Sequence, residues 1–303
     1  RSESIYGPFE EKIVLMQKDT VINGPHQGAL IDTISKEEWF LHFQDKGAYG
    51  RIAHLQPVKW KNGWPEIGID QDENGCGKPV ITYQKPNTGS ETSPVYLQAS
   101  DDFQGNSLHH MWQWIGNSQT DFYSFSENPG SLRLFSRNPA KDHKPTLYRS
   151  ANVLTQKFVC PDFRGTIACN VSSLKDKERA GITIFGGQYC FLSIKNEQGN
   201  FFLEYGISKG KGEARQEEIL DQKPISLEQI QQQIYFMLAV NEVDGQAICK
   251  MWLSIDGEQA FSNHHEYTAV DDTWVGAKLG LFALSENEEG TGYADFHYIK
   301  IEK

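Results

Sequence analysis

Short β-rich runs recur along almost the whole chain with turn signals between them, and this alternation confines the fold to an all-β architecture. From position 27 the pattern reads strand (27–32), turn (35–37) and strand (38–43), and a third run at 51–56 follows the loop at 45–50. Connections this short imply an antiparallel meander. Trp60-Lys61-Asn62-Gly63-Trp64-Pro65 turns the chain again and leads to a short fourth strand near 66–69. The start of the first strand, the end of the second and the start of the third then lie at one edge of the sheet. His26, Gln27, Gln44, Asp45 and Arg51 converge there although they span 25 positions.

Residues from about 70 to 94 are rich in Gly, Pro, Asn, Thr and Ser, and 85–90 is the least structured stretch. The expected organisation is a first domain at 1–85, a linker at 86–95 and a second domain at 96–303. In the second domain β-rich runs fall at 131–135, 152–158, 181–185, 189–194, 201–205, 234–240, 247–253, 277–283 and 294–299. About 210 residues of this texture make one two-sheet β-sandwich. The one helix-like segment is 226–231. A 12% aromatic content with 27 Gly and 12 Pro agrees with many strands and tight turns. Those aromatics belong first to a packed core, although they also stack on sugar rings.

With 29 Lys+Arg against 40 Asp+Glu the net charge is −11, which argues against nucleic acid as a partner. No apolar run approaches 18 residues, and Arg1-Ser2-Glu3-Ser4 lacks the apolar stretch of a signal peptide, so neither a membrane span nor a leader is expected. The compartment is not stated by these residues; periplasmic or secreted is favoured over cytoplasmic. Cys76, Cys160, Cys169, Cys190 and Cys249 are odd in number and show no C-x-x-C spacing, so buried free thiols are expected rather than a zinc site or a disulfide framework. His109-His110 and His264-His265-Glu266 suggest metal ligands, but neighbours on a strand point to opposite faces and cannot share one ion. Asp101-Asp102, Asp271-Asp272 and 286–289 lack the ordered spacing of a calcium loop. Asn170-Val171-Ser172 fits an N-glycosylation sequon.

Asn23-Gly24-Pro25-His26-Gln27-Gly28-Ala29-Leu30-Ile31-Asp32-Thr33, followed by Glu38-Trp39-Phe40-Leu41-His42-Phe43-Gln44-Asp45-Lys46-Gly47-Ala48-Tyr49-Gly50-Arg51, resembles the late blades of the five-bladed β-propeller of glycoside hydrolase family 43. Arg1-Ser2-Glu3-Ser4-Ile5-Tyr6-Gly7-Pro8-Phe9-Glu10 is similar to the preceding segment of those enzymes, and 60–65 to their closing turn. Ser100-Asp101-Asp102-Phe103, Asn152-Val153-Leu154-Thr155-Gln156, Arg179-Ala180-Gly181 and Gly276-Ala277-Lys278-Leu279-Gly280-Leu281-Phe282 resemble their appended sandwich. The implied fold is a partial five-bladed β-propeller followed by a concanavalin-like two-sheet β-sandwich. The implied activity is that of an exo-acting, inverting β-xylosidase or α-L-arabinofuranosidase on xylan- or arabinan-derived oligosaccharides of plant hemicellulose.

Inversion needs a base carboxylate and an acid carboxyl roughly 6.5–9.5 Å apart, with the attacking water between. The resemblance supplies them as two Asp and one Glu on earlier blades, which are expected to lie before Arg1. The missing N-terminal propeller segment is then a partner, because a partial propeller leaves strand edges open. The resemblance requires no cofactor but leaves room for a calcium ion at the propeller centre, with His26 as its ligand or neighbour. It also puts His26 beneath the sugar and Arg51 at the active centre, where a permanent charge can meet hydroxyls and keep a carboxylate ionised. Gln27, Gln44 and Asp45 join through convergence alone. Lys278 stands near where some relatives carry a pocket-closing aromatic. A second alignment sets Asn23-Gly24-Pro25-His26 against the family's Glu-Gly-Pro-His motif, which would leave an amide where the acid belongs. Outside catalysis, the readings are a carbohydrate-binding or scaffold sandwich, or one that mediates homo-oligomerisation.

Overall fold

A computed structural model describes residues 1–303 apart from 25, 92, 96–97, 139–140, 142–144, 211 and 263 and the side chains of His26 and Glu213. The chain divides into two compact units, Arg1–Lys46 with Arg51–Val95, and Gly47–Gly50 with Tyr96–Lys303. Residues 47–50, which the sequence groups with the first domain, thus belong to the second unit.

The first unit holds one four-stranded antiparallel sheet, β1 (His26–Asp32), β2 (Glu38–Asp45), β3 (Arg51–Lys61) and β4 (Trp64–Ile67), paired in chain order. Trp39, Val58 and Ile67 are buried with Ile22, and Tyr83 meets Trp39 edge to face at 5.8 Å. A bulge breaks the β1–β2 register between His26 and Ala29, with Gln27 at φ 51°. Gly28 is required inside it, because a Cβ there would run into the Phe40 ring and the Leu41 carbonyl. The segment at Asn87 is tied back to the β1–β2 turn: its N–H donates to Glu37 Oε2 at 2.7 Å, and Ser35 Oγ donates to its carbonyl at 2.6 Å. Large apolar side chains remain uncovered here, among them Ile5, Tyr6, Phe9, Leu30, Ile31 and Leu41.

The second unit begins with three short strands, β5 (Gln113–Trp114), β6 (Tyr123–Ser124) and β7 (Leu132–Phe135). Then follow β8 (Leu154–Lys157), β9 (Phe163–Asn170), β10 (Glu178–Phe185), β11 (Tyr189–Glu197), β12 (Asn200–Lys209) and β13 (Gln216–Ile225). After α1 (Leu227–Ile230) come β14 (Ile234–Val243), β15 (Gln246–Ser254), β16 (His265–Thr268), β17 (Lys278–Ser285) and β18 (Tyr293–Glu302). They form two seven-stranded sheets, ordered β13-β12-β11-β10-β17-β8-β5 and β16-β15-β14-β9-β18-β7-β6. Between the sheets Ile182, Leu192 and Leu281 of the first share a core with Ile167, Phe236, Leu238 and Phe296 of the second.

The first sheet is also covered on its outer face, where Phe185, Tyr189, Phe191, Phe282 and Leu284 pack with Leu147 and Val153. Double coverage explains why β11 and β17 read as nearly continuous apolar runs, whereas β14 alternates buried and half-buried residues. The nine runs expected in this domain all fall on strands, and Ser226 caps α1 through a reciprocal bond with Gln229. Strands β5, β6, β9, β13 and β16 were not legible. Cys169, Cys190 and Cys249 are buried thiols as expected, but Cys76 and Cys160 are half-exposed; all five are free.

A buried ion pair fastens the outer cover. Arg179 lies against the rings of Phe191 and Phe282 and pairs with Glu217, whose other oxygen accepts the Leu147 N–H and the Tyr189 O–H, each at 2.8 Å. Burial opposes the charge on Arg179, yet the nearby Glu217 carboxylate keeps it fully protonated. Glu217→Ala would strand a buried guanidinium, which typically costs about 3–5 kcal/mol. Urea unfolding should show that loss, whereas removing the exposed Lys209–Glu218 pair should barely move the midpoint.

Candidate functional site

Alternation along β2 and β3 sends Phe40, His42 and Gln44 to the same face as His54 and Gln56, because Phe40 sits opposite Gln56 and His42 opposite His54. The result is a polar column inside the first unit. His42 stacks between Phe40 (5.8 Å) and His54 (5.5 Å). Gln56, fully buried, reaches His42 Nε2 at 3.3 Å and accepts the Val80 N–H at 2.6 Å. At the other end His54 Nε2 meets Gln44 Oε1 at 3.0 Å, and Gln44 Nε2 donates to the Val21 carbonyl at 2.7 Å.

The column ends where the candidate residues gather. Asp45 and Arg51 are direct partners across β2 and β3, and His26 is registered opposite Phe43. The Arg51 guanidinium lies over the Phe43 ring, 4.4 Å from its centroid, half-buried and so held in one place. Asn23 Nδ2 donates to the Asp45 carbonyl at 2.9 Å, bracing the strand end. An ionised glutamate could not make that bond, so Asn23 has a structural task of its own. Gln27 is exposed on the bulge and Asp45 is exposed beside it. Gln44 differs, since both ends of its amide are engaged by the protein and it acts as a support for the strand ends. His26 opens β1, but its side chain lies outside the described residues. Among the described residues no group of three or more His, Cys, Asp or Glu could hold a metal, so a calcium at His26 would need ligands from elsewhere.

Lys278 lies in the second unit, opening β17 opposite Phe185 and Lys157. Its ammonium is 3.5 Å from Gln113 Oε1, and burial together with the charge of Lys157 holds its pKa below the usual lysine value. Contrary to expectation, neither histidine pair lies within a strand: His109 and His110 stand at a turn with ring centroids 5.8 Å apart, and His264, just before β16, packs on Trp252 while His265 packs on Tyr205. Asp101 accepts the Trp112 indole N–H at 2.9 Å and is a structural acceptor. No described helix is long and apolar enough to cross a membrane.

Sequence reasoning missed the His42–His54–Gln56 column. Its signal was present, as polar residues at every second position of two adjacent strands, but alternation alone does not say which face is buried.

Two seven-stranded antiparallel sheets packed face to face define a concanavalin-like sandwich. Residues 100–302 match the family described as the β-xylosidase C-terminal concanavalin A-like domain of glycoside hydrolase family 43, and the chain belongs to that family. A β-xylosidase of Formosa agariphila is 31% identical over 318 residues, covering 97% of this chain and 50% of its own length. A non-reducing-end α-L-arabinofuranosidase of Bacteroides ovatus is 39% identical over 149 residues, covering 44% of this chain and 26% of its own. A Bacteroides eggerthii structure described as a bifunctional GH43-CE protein superposes with a TM-score of 0.79 at 27% identity, over 99% of this chain and 36% of that one. The chain spans about half the length of the first curated relatives it matches.

Burial, and secondarily His42 beside it, lowers the His54 pKa below its ordinary value. In the unfolded chain this imidazole takes up a proton below about pH 6.5, whereas in the fold it resists doing so. The stability it contributes is therefore complete above that pH and drains away as the pH falls toward the folded value. Between pH 7 and 5 the melting temperature of His54→Gln should fall less than that of the parent; parallel slopes would contradict the assignment.

Proposed function

We propose that the chain is part of a hemicellulose-acting glycoside hydrolase, an exo-acting, inverting β-xylosidase or α-L-arabinofuranosidase. In this reading the first unit is a late blade of a five-bladed propeller, and the acid and base carboxylates come from blades outside the chain. The names of the Formosa and Bacteroides relatives support the two pentosides. A four-stranded antiparallel meander is what one propeller blade consists of.

The observation that carries the reading is the uncovered apolar surface of the first unit. Ile5, Tyr6 and Phe9 are 84%, 90% and 69% exposed, and Leu30, Ile31, Leu41 and Ile52 are exposed along the sheet. Isolated apolar residues on a surface are ordinary, but a series of this size in fewer than a hundred residues is a surface made to be covered. Further blades would cover it.

Within such a pocket Arg51 would donate to sugar hydroxyls and keep a neighbouring carboxylate ionised, since its charge is permanent. His26, Gln27 and Asp45 would stand beside it, with Gln44 holding their strand ends. Lys278, in the second unit, is a separate candidate whose ammonium can donate to a hydroxyl or an acidic group. Neither a metal nor another cofactor enters these steps.

In a protein extended to the length of the relatives, Arg51→Ala should lower kcat/KM for an aryl pentoside by at least about tenfold, with little change in melting temperature. Unchanged kinetics would remove Arg51 from the site. The 303-residue chain alone should bind an apolar-surface dye strongly, and the extended protein should not. Equal dye binding by both would count against the covered-surface argument.

A further inference from the structure

The sandwich also has a concave feature of its own, apart from the candidate residues of the first unit. A cavity of about 330 Å³ is lined by Leu203, Tyr205, Asp221, Gln222, Lys223, Pro224, Phe261, Ser262 and His265. It lies at the mouth of the sandwich, where the edge strand β13 of one sheet faces the edge strand β16 of the other. The sequence of β13 makes the mouth polar. Asp221 is registered opposite Tyr205 and Lys223 opposite Leu203. Tyr205 and Leu203 are core residues, so Asp221 and Lys223 occupy inward positions that apolar side chains would otherwise fill.

Charges facing inward on an edge strand protect it from pairing with another chain, and that alone could account for one of them. Here they are built into a larger arrangement. The His265 imidazole stacks on the Tyr205 ring, with centroids 4.1 Å apart and planes 5° from parallel, and its Nε2 lies 3.2 Å from Asp221 Oδ2. Lys223 Nζ sits over the Phe261 ring at 3.9 Å and donates to the Phe261 carbonyl at 2.8 Å. Gln222, between Asp221 and Lys223 on β13, turns to the other face of the sheet, where its Nε2 donates to the buried Glu204 carboxylate at 2.9 Å.

We propose that this cavity is a binding site for a neutral sugar unit, separate from any hydrolytic centre. The Asp221 carboxylate keeps lone pairs beyond the one turned to His265 and accepts from adjacent hydroxyls, and the Lys223 ammonium keeps N–H donors beyond the one given to the Phe261 carbonyl. One fixed negative and one fixed positive charge leave the cavity without a net charge, which disfavours anionic and cationic ligands alike. Its volume lies at the lower end of small-ligand sites, the size of a mono- or disaccharide. The choice of pentosides as probes rests on the hemicellulase reading.

The test is saturation-transfer and amide-shift NMR on the whole 303-residue chain with D-xylose, L-arabinose and xylobiose. At least one sugar should bind saturably, with shifts clustered at Tyr205, Asp221, Lys223, Phe261 and His265. Asp221→Asn and Lys223→Ala should each weaken binding by at least about tenfold. The Asp221 side chain is 41% exposed, so the fold should tolerate the change, and a melting curve on each variant checks that it does. If Asp221→Asn fails to fold, Lys223→Ala decides alone. Absence of saturable binding by all three sugars overturns the proposal, as does binding that folded variants leave intact. The readout is binding by this chain rather than turnover. Failure here therefore leaves the hydrolase reading standing, and failure of hydrolysis in the longer protein leaves this site to be judged on its own.

Discussion

The first sheet of the sandwich is buried on both faces, and most of the second unit follows from that constraint. Its central strands β10, β11 and β17 are accordingly apolar along most of their length. Something must also cover the outer face, and the segment around Leu147 and Val153 does so. A cover made of loop carries backbone groups that need partners, and a buried carboxylate supplies one by accepting the Leu147 N–H. That carboxylate in turn demands a cation, which Arg179 provides from β10 while its guanidinium rests on two phenylalanine rings of the same sheet. Apolar burial, loop placement and one buried ion pair are thus successive consequences of a single topological fact.

The first unit obeys the opposite condition. Its four-stranded sheet has an interior of modest size around Trp39, Val58 and Ile67, and many of its other large apolar side chains are exposed. The polar column from Gln56 to Gln44 keeps the strand ends in register without a large apolar core. A sheet built this way gains most from packing against further sheets. This physical reason, together with relatives about twice as long, supports reading the unit as one component of a larger catalytic domain.

Most of the architecture was legible because alternation and turn chemistry are local. The meander of β1 to β4, the capped turn of α1 and the apolar strands β10, β11, β14 and β17 could all be read directly. The strands that escaped did so for different physical reasons, β5 and β6 because two residues carry no pattern. β13 (Gln216–Ile225) carries charges and a proline because it is an edge strand, and β16 (His265–Thr268) is another short, polar edge. β9 (Phe163–Asn170) contains Arg164, Gly165 and Asn170, which interrupt its apolar pattern although it lies between β14 and β18. For the candidate site, convergence of Asp45 with Arg51 followed from meander geometry. The engagement of Gln44, the bracing role of Asn23 and the inward charges of β13 did not, because each depends on which face a side chain takes and what it meets there.

The central claim is that this chain contributes to a glycosidase without containing its acid and base. The most direct measurement compares hydrolysis of an aryl β-D-xylopyranoside and an aryl α-L-arabinofuranoside by this 303-residue chain and by a protein extended to the length of its relatives. The account predicts turnover of at least one pentoside by the extended protein and none by the chain alone. Turnover by the chain itself, or its absence from a folded extended protein with both substrates, would contradict it.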